Sequence, residues 1–126
     1  MHKSRLGGII IDCRTDDLEA SAEFWAEALG RRAKRSGKPE DVHYIGLEGP
    51  DGEIHIEVQQ VDHPSRVHID IETDDVEAEV RRLEKLGARR IENVRNWCVM
   101  EAPSGQRFCV VRPQRSTFEE EANTWP

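Results

Sequence analysis

Apolar and polar residues alternate along the first strand-like stretch, with Ile9, Ile11 and Cys13 on one side and Ile10, Asp12 and Arg14 on the other. Val67, Ile69 and Ile71 alternate in the same way with His68, Asp70 and Glu72. A period of two sends successive side chains to opposite faces, so each stretch predicts a strand with one buried face. The period then changes. Leu18, Ala22, Trp25 and Leu29 recur at helical spacing, as do Val76, Val80, Leu83 and Leu86. Each set makes an apolar stripe along a helix. Asp16 with Glu19, and Asp74 with Glu77, predict a capping pattern in which two side chains satisfy free N–H groups of the first turn. Gly30 and Gly87 stand where a helix closes in a left-handed residue. Three short strands fit after each helix, near 31–35, 42–48 and 53–60, and near 89–94, 96–101 and 106–112.

The two patterns are copies of one unit. "IIIDCRTDDLEA" (Ile9 to Ala20) and "VHIDIETDDVEA" (Val67 to Ala78) are in register at a separation of 58 residues. The separation falls to 57 at Gly30 and Gly87, so the first helix carries one extra residue. "GPDG" (Gly49 to Gly52) resembles "APSG" (Ala102 to Gly105) near the end of each copy. Ordered self-similarity of this kind predicts a repeated structural unit. The expected fold is α+β, one domain over residues 1–126 built from two βαβββ units, the first about 7–60 and the second about 65–112. The tail, 113–126, reads as irregular or a short turn, with Trp125 docking on the body. A four-stranded sheet with one helix leaves its other face open. Two such sheets side by side predict a curved eight-stranded mixed sheet around a cup, helices outside, with the inner face as ligand site.

Composition narrows the functions. The chain has 126 residues, enough for one domain with a real core. Its net charge of −7 argues against a nucleic-acid-binding surface. No stretch approaches the roughly 20 apolar residues needed to span a membrane. "MHKSRLGGIIID" reads as the start of a strand, not a signal peptide. Cys13, Cys98 and Cys109 are an odd count without metal-finger spacing, which predicts a reduced, cytoplasmic protein. The basic run "RRAKRSGK" reads as a solvated edge.

"DLEASAEFWAEALG", "VHIDIETDDVEAEVRRLEKLGA" and "WCVMEAPSGQRFCVV" resemble the signature stretches of the vicinal oxygen chelate superfamily, in its glyoxalase-like, bleomycin-resistance-like branch. The resemblance covers about residues 7–112 and is specific for fold. It implies little about reaction, because the family holds lyases, epimerases, dioxygenases, thiol transferases and metal-free drug-binding proteins. It also implies a homodimer. Members with metal take one ligand from the first and one from the last strand of each unit. Carried onto this chain, those positions are Ile10, His68 and Cys109, with Glu57 or Ile56 as competing choices for the fourth. Glu57 is preferred, because Ile54, Ile56 and Val58 form the apolar side of that strand and leave His55, Glu57 and Gln59 toward the cup.

The copies differ at a telling place, since Ile10 stands where the second copy has His68. Isoleucine has no lone pair to give. A metal set of Glu57, His68 and Cys109 would favour a softer ion such as zinc, with nickel, iron and manganese as alternatives. Asp12 and Asp70 share strand faces with Ile10 and His68. They read as buried carboxylates that tie backbone or orient a histidine. If "APSG" forms a short hairpin turn with Glu101 opposite Gln106, Cys98 falls directly opposite Cys109 and both thiols line one face. A slip of one residue would separate them. The predicted pocket therefore comprises Ile10, Asp12, His55, Glu57, His68, Asp70, Cys98, Met100 and Cys109. Two readings stay open. One is a metal-dependent lyase, isomerase or dioxygenase acting on a small oxygen-rich molecule. The other is a metal-free binding protein holding its ligand against Trp97, Met100 and aliphatic side chains.

Overall fold

In a computed structural model describing residues 1–126, the elements run β1 (His2–Arg14), α1 (Leu18–Leu29), β2 (Arg32–Lys34), β3 (Tyr44–Glu48), β4 (His55–Val61), β5 (Arg66–Thr73), α2 (Val76–Lys85), β6 (Arg89–Val94), β7 (Trp97–Glu101), β8 (Arg107–Val111), α3 (Phe118–Glu121) and β9 (Asn123–Trp125). The fold is α+β, and βαβββ occurs twice, as the pattern predicts. The chain divides into two compact units, Ile9–Val67 and Met1–Gly8 with His68–Pro126. The boundary falls inside β1 and β5. No helix is long and apolar enough to cross a membrane.

In the Ile9–Val67 unit the strand order is β2-β3-β4-β1. Strands β3 and β4 pair antiparallel with Tyr44 opposite Gln59, Ile45 opposite Val58 and Gly46 opposite Glu57. Ile45, Leu47 and Val58 meet Ile11 and Cys13 of β1 and Leu18, Ala22 and Ala26 of α1 in one apolar cluster, with Trp25 and Ile56 packed against it. This is the predicted strand-and-helix stripe. Phe24 is 62% exposed and meets Trp25 edge to face at 5.1 Å.

In the other unit β5, β8, β7 and β6 follow one another, β5 and β8 running parallel. Val80 and Leu83 of α2 pack on Cys98, Met100, Phe108 and Val110, with Ile71 and Val76 at the margin. Val67 (60% exposed) and Ile69 (45%) do not join a core, contrary to the alternation, because the α2 cluster reaches only as far as Ile71. Glu79 sits on the otherwise apolar face of α2 and is fully buried. It accepts from Nε and a terminal nitrogen of Arg82, both at 2.9 Å, and its Oε1 lies 2.7 Å from His2 Nε2. These partners lower its pKa although burial alone pushes it up.

Three further sequence expectations are corrected. The caps lie one residue later than Asp16 and Asp74: Asp17 accepts from Ala20 N and Asp75 from Ala78 N, both at 3.1 Å. Thr15 and Thr73 turn the chain into these caps by accepting from the N–H of Asp17 and Asp75. The repeated "TDD" is thus one hydroxyl turn followed by one cap. The helices do close on left-handed glycines, Gly30 at φ 67° and Gly87 at φ 108°.

The tail is ordered as α3 and β9, making nine strands instead of eight. Strand β9 pairs with His2–Ser4 of β1. Trp125 docks as expected, donating Nε1–H to Ser4 Oγ at 2.8 Å, with the Arg82 guanidinium 3.8 Å from its ring centroid.

The third correction is the β7–β8 register. Ala102 N donates to Gln106 O at 2.8 Å and Gly105 N to Ala102 O at 2.9 Å, so the turn closes on Ala102 and Gln106. Gly105, at φ 96°, supplies the left-handed residue of a three-residue loop. Cys98 then faces Val110, and Cys109 faces Val99.

Candidate functional site

Strands β5 and β8 set Asp70 directly opposite Cys109, Ile71 opposite Val110 and Glu72 opposite Val111. Residues that face one another share a side of the sheet. Ile71 and Val110 turn to α2, so Asp70 and Cys109 emerge together on the other face. His68 lies two residues before Asp70 and emerges there too. Its Nε2 is 3.8 Å from Cys109 Sγ and 3.5 Å from Asp70 Oδ1. One nitrogen, one sulfur and one carboxylate oxygen lie within 4.8 Å of one another. Asp70 is buried, and His68 and Cys109 are half-buried.

The same ring nitrogen faces both partners. A nucleophilic relay uses opposite nitrogens of the imidazole, one for the nucleophile and one for the carboxylate. Here three donor atoms converge on one region instead, which is the arrangement of a chelate. The residues fit a divalent ion. Imidazole, thiolate and carboxylate suit zinc or another borderline-soft ion better than magnesium, and three protein ligands leave coordination positions for a substrate. Farther along the same side of β5, fully buried Glu72 accepts from Arg5 Nε at 2.6 Å and from Gln114 N at 2.7 Å, with Arg115 at 3.8 Å. That carboxylate is committed to structure.

The other predicted residues divide between the α2 core and the Ile9–Val67 unit. Cys98 and Met100 do not line this face: both are 0% exposed in the α2 core. The one-residue register difference turns them away from Cys109. Burial pushes the Cys98 thiol pKa up, and does the same for Cys13 in the α1 core. Ile10, Asp12, His55 and Glu57 belong to the Ile9–Val67 unit. Ile10 and Asp12 are each 2% exposed, and Arg66 Nε lies 3.7 Å from Asp12 Oδ2. His55 Nε2 and Glu57 Oε2 are 3.2 Å apart on β4, half-buried, with the bare backbone of Gly46 opposite Glu57. Tyr44, opposite Gln59, accepts from its Nε2 at 3.2 Å.

Asp70 is the ligand candidate that sequence reasoning placed in the pocket but left out of the metal set. Its signal was the two-residue spacing from His68 on a strand. A polar cavity of about 310 Å³ also opens at the start of α2, between Thr73–Glu77, Asn96 and Arg112. It contains none of the predicted site residues.

A family model described as the glyoxalase-like domain matches residues 8–111. No match was found among curated protein sequences. Solved structures do match. Streptomyces coelicolor methylmalonyl-CoA epimerase in complex with 2-nitronate-propionyl-CoA superposes with a TM-score of 0.64 at 17% identity, covering 87% of this chain and 98% of that one. Methylmalonyl-CoA epimerase from Mycobacterium tuberculosis gives 0.63 at 16% identity, over 86% and 87%. A hypothetical protein from Bacillus halodurans gives 0.62 at 13% identity, over 90% and 97%. At these identities the likeness is one of fold.

Proposed function

The chain belongs to the glyoxalase-like domain family, within the vicinal oxygen chelate superfamily, and on that premise we propose a metal-dependent enzyme acting on a small carbonyl- or carboxylate-bearing molecule. The observation that carries this reading is the convergence of Cys109 Sγ and Asp70 Oδ1 on His68 Nε2. His68, Asp70 and Cys109 would hold the ion. When bound, such an ion polarises a substrate oxygen and stabilises negative charge that develops on it.

Isomerase chemistry is favoured over the other family reactions, because solved structures of similar fold include methylmalonyl-CoA epimerases. The test is deuterium wash-in from heavy water at the acidic carbon of acyl-CoA thioesters, methylmalonyl-CoA first, with metal content measured on protein purified without an affinity tag. One ion per chain and metal-dependent exchange, falling about 100-fold or more in His68→Ala, are expected. No bound ion and no exchange with any thioester would overturn the reading.

A second reading, a metal-free binding protein, rests on Ile10. This residue is buried at 2% exposure and removes one of the four ligand positions that the resemblance implies. Tight binding of an apolar ligand by metal-stripped protein would favour it. Homodimerisation belongs to the first reading, and the exposed apolar pair Val67 and Ile69 offers it a surface. Light scattering at twice the chain mass of 14.4 kDa checks it.

A further inference from the structure

The three cysteines occupy three different environments. Cys13 is 7% exposed in the α1 core and Cys98 is 0% exposed in the α2 core. Cys109 alone is half-buried, on the open face of β8, with an imidazole nitrogen 3.8 Å from its sulfur. We propose that Cys109 is an oxidation site through which hydroperoxides switch off metal binding at His68, Asp70 and Cys109. This rests on the metal reading above and adds regulation to it.

The step is a two-electron oxidation. Cys109 sulfur attacks the nearer peroxide oxygen, an S–O bond forms and the O–O bond breaks. The departing oxygen takes the thiol proton and leaves as water or an alcohol. The product is a sulfenic acid. A sulfenic acid is a poorer metal ligand than the thiolate it replaces. The hairpin register decides the fate of that group. Cys98 faces Val110 and points into the α2 core, away from Cys109, so no thiol lies across the hairpin to form a disulfide. Reduction therefore falls to an external thiol. In the other direction, an ion held by Cys109 would engage a sulfur lone pair and lower the sulfur's reactivity. Burial also raises the pKa of Cys13 and Cys98, which keeps them protonated and less reactive.

The experiment treats the full chain with hydrogen peroxide, once metal-stripped and once zinc-loaded, and follows oxygen addition by intact mass and peptide mapping. Stripped protein is expected to gain one oxygen at Cys109 before Cys13 or Cys98 reacts. Zinc is expected to slow this about tenfold or more, and the oxidised chain to bind zinc roughly 10–100-fold more weakly until a thiol reductant restores it. Cys109→Ser, checked for native circular dichroism, is expected to lose the early oxygen addition. Zinc binding without Cys109 selectivity, or without protection, would overturn this proposal and leave the metal reading standing. Failure of the reduced chain to bind zinc at all would overturn both.

Discussion

At the scale of residues, Cys109 Sγ and Asp70 Oδ1 both lie close to His68 Nε2, which makes that atom the centre of the proposed metal site. Asp70→Asn keeps the shape of that side chain and removes its charge. Zinc affinity is expected to fall at least about tenfold with no loss of fold, read by competition against a chromophoric chelator. Glu79 is the contrasting carboxylate, buried among Arg82, His2 and Ser4 and spent on stability. Glu79→Gln is expected to cost about 2–3 kcal/mol near neutral pH, since it leaves the Arg82 guanidinium without its carboxylate partner. Its folded pKa lies below the ordinary value of 4.5, so the carboxylate stabilises the fold above that pH. The stabilisation disappears as pH falls through the folded pKa. Thermal melts of the two proteins should therefore converge in acid, and a constant gap at all pH values would refute the assignment.

At the scale of elements, the doubled "TDD" stretch predicted two capped helices, and both formed. What it misplaced was the capping residue. Hydrophobic periodicity says where a helix runs, whereas the cap depends on which aspartate reaches the N–H three residues on. Asp17→Ala and Asp75→Ala are each expected to cost about 1 kcal/mol in chemical denaturation, and Asp16→Ala much less. Gly30 closes α1 at φ 67° with nothing within 4 Å of where a Cβ would sit. Gly30→Ala should thus cost about 1–2 kcal/mol from backbone strain alone, with no clash to relieve. The β7–β8 hairpin shows the limit of sequence reading most clearly. Turn residues announced the loop, yet two registers one residue apart satisfied the same letters. Only the Ala102–Gln106 closure decides that Cys98 enters the core and Cys109 takes the opposite face.

At the scale of the molecule, the repeat was legible because both copies kept the same strand, cap and helix stripe. The candidate site was legible only in part. Of the expected set Glu57, His68 and Cys109, the last two lie with His68 Nε2 3.8 Å from Cys109 Sγ. Asp70 joins them because a parallel pairing sets β5 against β8, and pairing between distant strands leaves little local signature in sequence. The ninth strand went unread for the same reason: Asn123–Trp125 is held by contacts with residues more than 100 positions away.

Metal binding to the native state alone would stabilise it by about 2.7 kcal/mol at a free ion concentration 100 times the Kd. A rise in melting temperature with zinc that vanishes in His68→Ala is the expected sign. The most direct test of the central claim is cobalt(II) titration of the reduced, tag-free chain followed by absorption spectroscopy. The account predicts one equivalent bound, with a thiolate-to-cobalt charge-transfer band that Cys109→Ser removes. Cobalt that does not bind, or that binds with a charge-transfer band unchanged by Cys109→Ser, would contradict it.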